Sequence, residues 1–387
     1  MRKTLTLLTA LALTVSLLAG CGAKGGAENQ AEGTKAPAES AAEQTAETGS
    51  SISGEAARKE PSTEDSADMA PAKELLENSL PESNSYGTQV RVTALKGPTA
   101  MGMVPMMESV TGTSNGQNTY TYTITPSVDA VTPALVQGET DIAAVPANLA
   151  SVLYNNTKGQ VQVLAINTLG VLYIAESGES VQSVSDLKGK TIYASGKGAS
   201  PEYALNYILS ANGIDPEKDV TIEWKAEHSE CVAALSSQEG GIAMLPQPFV
   251  TTAQAKNEKL RIALDLTEDW DKAQEGSETP SAKLTGVVVV RTQFAQKHPE
   301  AVNAFLDSYK ASVEYANANV EETAELIEAH DIVPAPVARK ALPACNIVFI
   351  EGDEMKEKLS GYLNVLYEQN PKAVGGQLPG EDFYYSR

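Results

Sequence analysis

From residue 86 onward the sequence repeats one unit: a short apolar run, a turn of small residues, then a stretch with helical spacing. Val90, Val92 and Ala94 alternate with polar neighbours and end at Lys96-Gly97-Pro98-Thr99, which predicts a strand entering a turn. Helical spacing follows over Ala100–Glu108, strand alternation over Thr119–Thr125, and helical spacing again over Asp129–Gln137. Ile142–Val145, Val161–Ile166, Val171–Ala175, Thr191–Ala194, Val220–Trp224, Ile242–Leu245, Leu260–Leu264 and Val287–Val290 read as further strands. Between and beyond them, Asn148–Tyr154, Pro201–Ala211, Cys231–Ser236, Phe249–Asn257, Pro299–Asn317, Val320–Ala329, Pro336–Leu342 and Glu354–Glu368 read as helices. Asn319 with Glu322 has the form of a capping box at the start of one of them. Strands alternating with helices predict an α/β fold whose mostly parallel sheets carry helices on both faces. Continuous rather than alternating apolar runs are what strands covered on both faces require.

Composition narrows the function. At 387 residues the chain exceeds one ordinary domain and suits two lobes of about 100–150 residues plus extras. Its formal charge of −21 argues against nucleic acid or an anionic membrane surface as partner, because phosphates would find no cation to neutralise them. Three His and three Cys leave little for a zinc cluster or a disulfide framework, so neither metal nor cofactor is expected. With five Phe and two Trp, the core must be mainly aliphatic.

The first 85 residues read as address and tether. Arg2 and Lys3 precede an apolar run from Thr4 to Leu18, the arrangement of a signal peptide, and the run is shorter than the ~20 residues of a spanning helix. It ends in Leu18-Ala19-Gly20-Cys21, which looks like a bacterial lipobox: residues 1–20 would be removed and Cys21 would carry the lipid. Two acyl chains hold a protein stably at a membrane where one does so only marginally. Residues 22–85 are rich in Ala, Glu, Gly, Ser and Thr and lack aromatic side chains, so segment 21–85 is expected to be a disordered acidic tether spanning roughly 45 Å.

In doubly wound folds ligands bind at the carboxyl ends of strands, where loops converge. Two loops stand out there. Gly97-Pro98-Thr99-Ala100 links the first strand and helix, and Gly198-Ala199-Ser200 precedes Pro201 with Ser200 as the expected N-cap. Free backbone N–H groups at a helix start suit a carboxylate, sulfonate or phosphate. Asn148 and Gln247 occupy matching places, each after a buried-type strand ending in proline. Met101, Met103, Met106 and Met107 form a stripe that reads as core. Glu227-His228-Ser229-Glu230-Cys231 gathers reactive residue types but matches no nucleophile elbow or metal motif, and Ser229 as a helix cap accounts for it.

Taken in order, "VRVTALKGPTAMG", "GETDIAAVPANLASVLY", "SVSDLKGKTIYASGKGASPEYAL" and "GGIAMLPQPFVT" resemble the solute-binding lipoproteins of bacterial ABC importers, in the nitrate/sulfonate/taurine and thiamine-precursor-binding group. The resemblance covers essentially all of residues 86–387. It implies the two-lobed type II periplasmic-binding-protein fold with a two-strand hinge, lobe 1 being 86–174 with 285–387 and lobe 2 being 175–284. It also implies ligand contacts at Gly97–Ala100, Asn148 and Gly198–Ser200. The expected partners are a small solute and the transmembrane subunits of a permease, with the membrane engaged only through the lipid; the chain is expected to be a monomer and no enzyme. The competing functions are an extracytoplasmic enzyme using the same cleft, and a sensory or scavenging module without a permease. Replacing Cys21 by Ser should leave the protein unlipidated and abolish membrane retention, read by fractionation; retention of Cys21→Ser after signal cleavage would overturn the lipobox assignment.

Overall fold

The computed structural model describes residues 87–110, 118–237, 239–277 and 280–387. The expectations for the signal segment, Cys21 and the tether lie outside the described residues.

Two sheets organise the chain. The first contains β1 (Gln89–Leu95), β2 (Thr119–Thr125), β3 (Ile142–Pro146), β4 (Val161–Leu169), β10 (Leu284–Arg291) and β11 (Ile347–Ile350), in the order β11-β4-β10-β3-β1-β2. The second contains β5 (Leu172–Glu176), β6 (Thr191–Ser195), β7 (Thr221–Lys225), β8 (Ile242–Pro246) and β9 (Arg261–Asp265), in the order β7-β6-β8-β5-β9. The chain leaves the first sheet after Leu169, builds the second, and returns at Leu284.

That return changes the strand directions. β1 runs parallel to β2 and β3, but β10 is antiparallel to both β3 and β4, and β5 is antiparallel to β8 and β9. The sheets are therefore mixed, because strands that cross between them enter from the opposite edge. β10 lies between β3 and β4 and is covered on both faces: Val287, Val288, Val289 and Val290 are all fully buried. Odd members of that run join one core with helix α13 (Gly352–Gln369), and even members join the other with helix α10 (Pro299–Ala318). Each fully buried Val contributes about 1.5–3 kcal/mol.

The helices follow the sequence reading with instructive departures. The first helical stretch is broken into α1 (Pro98–Met101) and α2 (Val104–Val110). A Cβ on Gly102 would meet the Ile347 side chain at 2.8 Å, so the backbone must approach β11 closely there. The helices α3 (Val128–Gln137), α4 (Ala147–Thr157), α5 (Ser200–Ala211), α6 (His228–Ser237) and α7 (Phe249–Lys256) lie where the spacing placed them. Helices α8 (Leu266–Ala273) and α9 (Thr292–Lys297) and strand β11 are elements that the sequence reading did not identify. α11 (Val320–Ala329) and α12 (Ala335–Ala341) complete the set. Asn319 precedes α11 but does not cap it with its side chain; its amide donates to the Tyr315 carbonyl at the end of α10 (3.0 Å). The Met stripe is core: Met101, Met103, Met106 and Met107 are all buried.

Each sheet carries one buried carboxylate clamped by arginine. Asp141, 1% exposed, accepts from Arg91 Nε and Nη2 (both 2.8 Å), from the Arg91 backbone N–H (3.0 Å) and from Arg291 Nη2 (2.6 Å). Burial pushes the Asp141 carboxyl up, but the bonds from Arg91 and Arg291 outweigh it and hold the group below its usual range. In the second sheet Glu176 is fully buried and bound by Arg261, Ser180 and the Val181 N–H. A carboxyl whose folded pKa is depressed stabilises the fold above its unfolded pKa and loses that contribution as pH falls through the folded value. Asp141→Asn should therefore cost about 3–5 kcal/mol near neutrality, because two arginines lose their counter-charge. The deficit should narrow below about pH 4, read by urea unfolding across pH. A deficit that does not change with pH would contradict this assignment.

Candidate functional site

The carboxyl ends of β1, β3 and β6 and the chain crossings between the sheets come together along one seam. On the first-sheet side, Gly97 takes φ +126°, a conformation open to glycine, and lets the chain turn from β1 into α1. Thr99 is buried; its hydroxyl donates to the Leu95 carbonyl (2.9 Å) and its own carbonyl accepts from the Asn167 amide (3.0 Å). Gly286 on β10 sits directly beneath, where an added Cβ would lie 2.4 Å from Thr99 Cγ2 and 2.6 Å from Asn167 Oδ1. Ala100 is fully buried and its N–H donates to the Gly97 carbonyl, so it faces core and not solvent.

The two halves meet through predicted residues. Asn148, in the first turn of α4, accepts at Oδ1 from the Ser200 hydroxyl (2.9 Å) and donates to the Ala373 carbonyl (3.2 Å). Ser200 therefore reaches across the seam and does not cap its own helix; Ala199 is the N-cap residue. The N–H groups expected to cradle an anion there are engaged locally. Gly198 N–H donates to the Glu202 carboxylate (2.6 Å) and Ala199 N–H to the Gly196 carbonyl (3.1 Å). A carboxylate at that helix start already satisfies its positive end. On the other side α1, with Pro98 at its start, spans only four residues, which limits its dipole.

Gln247 stands apart from these groups. It is buried, donates its N–H to the Val171 carbonyl (2.9 Å) and accepts from the Thr251 hydroxyl (2.8 Å). It borders a cavity of about 410 Å³ shared with Thr251, Gln254, Lys340 and Ala344, on the edge of the seam where Tyr173 OH donates to the Ala344 carbonyl (2.8 Å). The opposite edge is closed by α13. Gln369 and Asn370 donate to the Tyr203 carbonyl (3.0 Å) and hydroxyl (2.8 Å), and Tyr362 packs on Trp270 with ring centroids 5.6 Å apart. A second cavity, of about 1030 Å³, lies away from the seam around Glu176 and Arg261, whose charges already satisfy each other.

The sequence reading missed a buried cation at the seam. Lys283, immediately before β10, is 2% exposed, and its ammonium donates to the Leu284 carbonyl (2.9 Å). No carboxylate lies within ion-pair distance of it among the described residues. Burial without compensating charge drives its pKa down to about 7. Its Nζ lies 5.3 Å from the centroid of the Tyr362 ring. The Tyr362 hydroxyl and the neighbouring Thr267 hydroxyl are buried without hydrogen-bond partners. Burial pushes the Tyr362 phenol up to about 12, opposed by the nearby Ser200 hydroxyl. Gly170, in the crossing between β4 and β5, makes room for both: a Cβ there would lie 2.1 Å from Thr267 Oγ1 and 2.8 Å from Lys283 Cγ. The available sequence signal was a lysine just before a largely buried apolar strand, a position where a charge is costly.

The reactive-looking stretch at Glu227–Cys231 is local structure. His228 Nδ1 and Ser195 Oγ are 2.6 Å apart, the imidazole packs on Phe249, and Glu230 rather than Ser229 binds the N–H groups of Ala226 and Glu227. Cys231 and Cys345 are free thiols, both fully buried.

Residues 103–335 match the family model described as the phosphonate periplasmic substrate-binding protein of ABC transporters. A curated relative, the binding protein YtlA of Bacillus subtilis, is 24% identical over 178 residues, 38% of this chain and 53% of the relative, so the match spans about half that relative's length. Among solved structures, an ABC transporter protein from Parabacteroides distasonis is 25% identical, covers 78% of this chain and 99% of its own, and superimposes with a TM-score of 0.65. The aliphatic sulphonate-binding protein SsuA of Escherichia coli shares the fold at 16% identity and a TM-score of 0.60, over 75% of this chain and 96% of its own.

Proposed function

Because the chain belongs to the phosphonate-type family of periplasmic substrate-binding proteins of ABC transporters, we propose that it is the extracytoplasmic solute-binding lipoprotein of an importer. It captures a small anionic solute, of sulfonate, nitrate or taurine type, in the seam between the two sheets and delivers it to the permease. It catalyses no reaction. Residues 86–174 with 285–387 act as one lobe and 175–284 as the other, tethered to the membrane through Cys21.

The observation that carries this reading is the Ser200–Asn148 hydrogen bond. It joins a helix start of the second sheet to one of the first, directly across the seam. A solute entering there exchanges that bond for bonds to itself, contacting both lobes only when they are closed. Its differential affinity for the closed form is what shifts the hinge equilibrium. Thr99, Asn148 and Ser200 are the polar groups it meets, with Gly97, Pro98, Gly198 and Ala199 shaping the walls; Ala100, first expected among them, packs into the core behind. Gln247 bounds the far edge.

A thermal-shift screen of the protein against sulfonates, nitrate, pyrimidines and amino-acid-like anions should single out the anions. Thr99→Ala and Ser200→Ala should each weaken the solute so found by roughly 10- to 150-fold, the value of one hydrogen bond to a charged group. Unfolding without solute separates binding from stability, because Ser200→Ala also strands the Asn148 carbonyl oxygen. Unchanged affinity in both variants, with the fold intact, would place the solute elsewhere.

A further inference from the structure

We propose that the ammonium of Lys283 is the counter-ion of the solute, binding an oxyanionic head group together with the Thr267 and Tyr362 hydroxyls. The inference rests on the seam being the solute site and adds the group that selects charge. Three observations support it independently of that reading.

First, a lysine 2% exposed and bonded to one carbonyl is an uncompensated charge. Buried charges are ordinarily paired, and the three buried carboxylates among the described residues, Asp141, Glu176 and Asp269, all are. Second, of the two hydroxyls near it, Thr267 Oγ1 is buried without a hydrogen-bond partner, and Tyr362 OH has only the nearby Ser200 hydroxyl, whose own proton goes to Asn148. Each is left short of the partner that a buried hydroxyl normally has. An oxyanion supplies several acceptor lone pairs at one point and satisfies all three groups together; a neutral solute would leave the ammonium unpaired. Third, Gly170 holds the backbone back at just the place where a side chain would strike both Thr267 and Lys283.

The groups facing Lys283 set the direction of the pH effect. From α13 it meets the Tyr362 ring, and from α8 Thr267. The acidic residues flanking Thr267 are otherwise engaged: Asp265 caps α8 by accepting the Thr267 N–H, and Asp269 pairs with Lys272. With burial alone acting on it, the amine without solute titrates near 7. An anion stabilises the ammonium, so binding above that pH requires proton uptake.

The test uses the full chain and calorimetric titration with methanesulfonate, taurine and methylphosphonate. Methanesulfonate keeps one charge across the range, so its affinity should fall by about tenfold per pH unit above pH 7, and the apparent heat should depend on buffer ionisation. Lys283→Met removes the amine while keeping an unbranched apolar chain. It should raise the unfolding temperature without solute, lower affinity for the bound oxyanions by at least about 100-fold, and abolish both the pH slope and the proton uptake. If Lys283→Met folds and binds the oxyanions as tightly as the wild type, Lys283 is not the counter-ion although the seam still binds anions. If the wild type binds none of the three, both this assignment and the anionic reading of the seam fail.

Discussion

The pairing of β4 with β10 is the constraint on which the rest of this structure depends. β4 carries the chain out of the first sheet and β10 brings it back, side by side and antiparallel from Leu169 opposite Leu284 to Val161 opposite Arg291. Everything between them, residues 170–283, is an excursion whose two ends are fixed next to each other. The excursion builds its own five-stranded sheet, with one hydrophobic cluster of its own and another shared with the first half, and two chain crossings connect it to the rest. Two crossings side by side are the connection that the proposed hinge closure requires. The residues proposed for binding sit beside those crossings: Lys283 in one crossing with Gly170 in the other, Thr99 against Gly286, and Ser200 against Asn148.

Electrostatics divides the molecule into places where charge is settled and one where it is not. Asp141 with Arg91 and Arg291, and Glu176 with Arg261, are buried ion pairs away from the seam, each completed by backbone hydrogen bonds. Such pairs tie strand ends together, and removing one partner costs far more than the pair contributes. The ammonium of Lys283 has no such partner, and burial cannot be relieved by solvent. In a chain of strongly negative total charge, this buried cation is the feature on which the proposed anion site rests, since the overall field alone would repel an anion.

The alternation of apolar runs and helical stretches made nearly every strand and helix legible, because burial on both faces leaves a signature that does not depend on the fold around it. Where the signature failed, the cause is local. α1 and α2 read as one helix because the break at Gly102 is imposed by β11, which lies far along the chain and has only four residues of its own. Mixed strand directions were hidden for a related reason: an apolar run does not state which way it points. At the site, Thr99, Asn148 and Ser200 were legible as residues at the carboxyl ends of strands. Their bonds were not, since the Ser200 hydroxyl serves Asn148 and the Gly198 N–H serves Glu202. Lys283, Thr267 and Tyr362 were invisible because they come from three separated segments that only the tertiary fold brings together.

The account stands or falls on whether solute closes the two halves upon each other. Spin labels placed at the exposed positions Lys310 in the first half and Glu217 in the second, with distances read by pulsed electron paramagnetic resonance, measure this directly. A solute that binds by calorimetry should convert a broad distance distribution into one narrow population, with its midpoint in concentration equal to the calorimetric dissociation constant. A distribution that stays the same with the solute bound would mean that the seam does not close on it, and that the chain does not work by capture between two lobes.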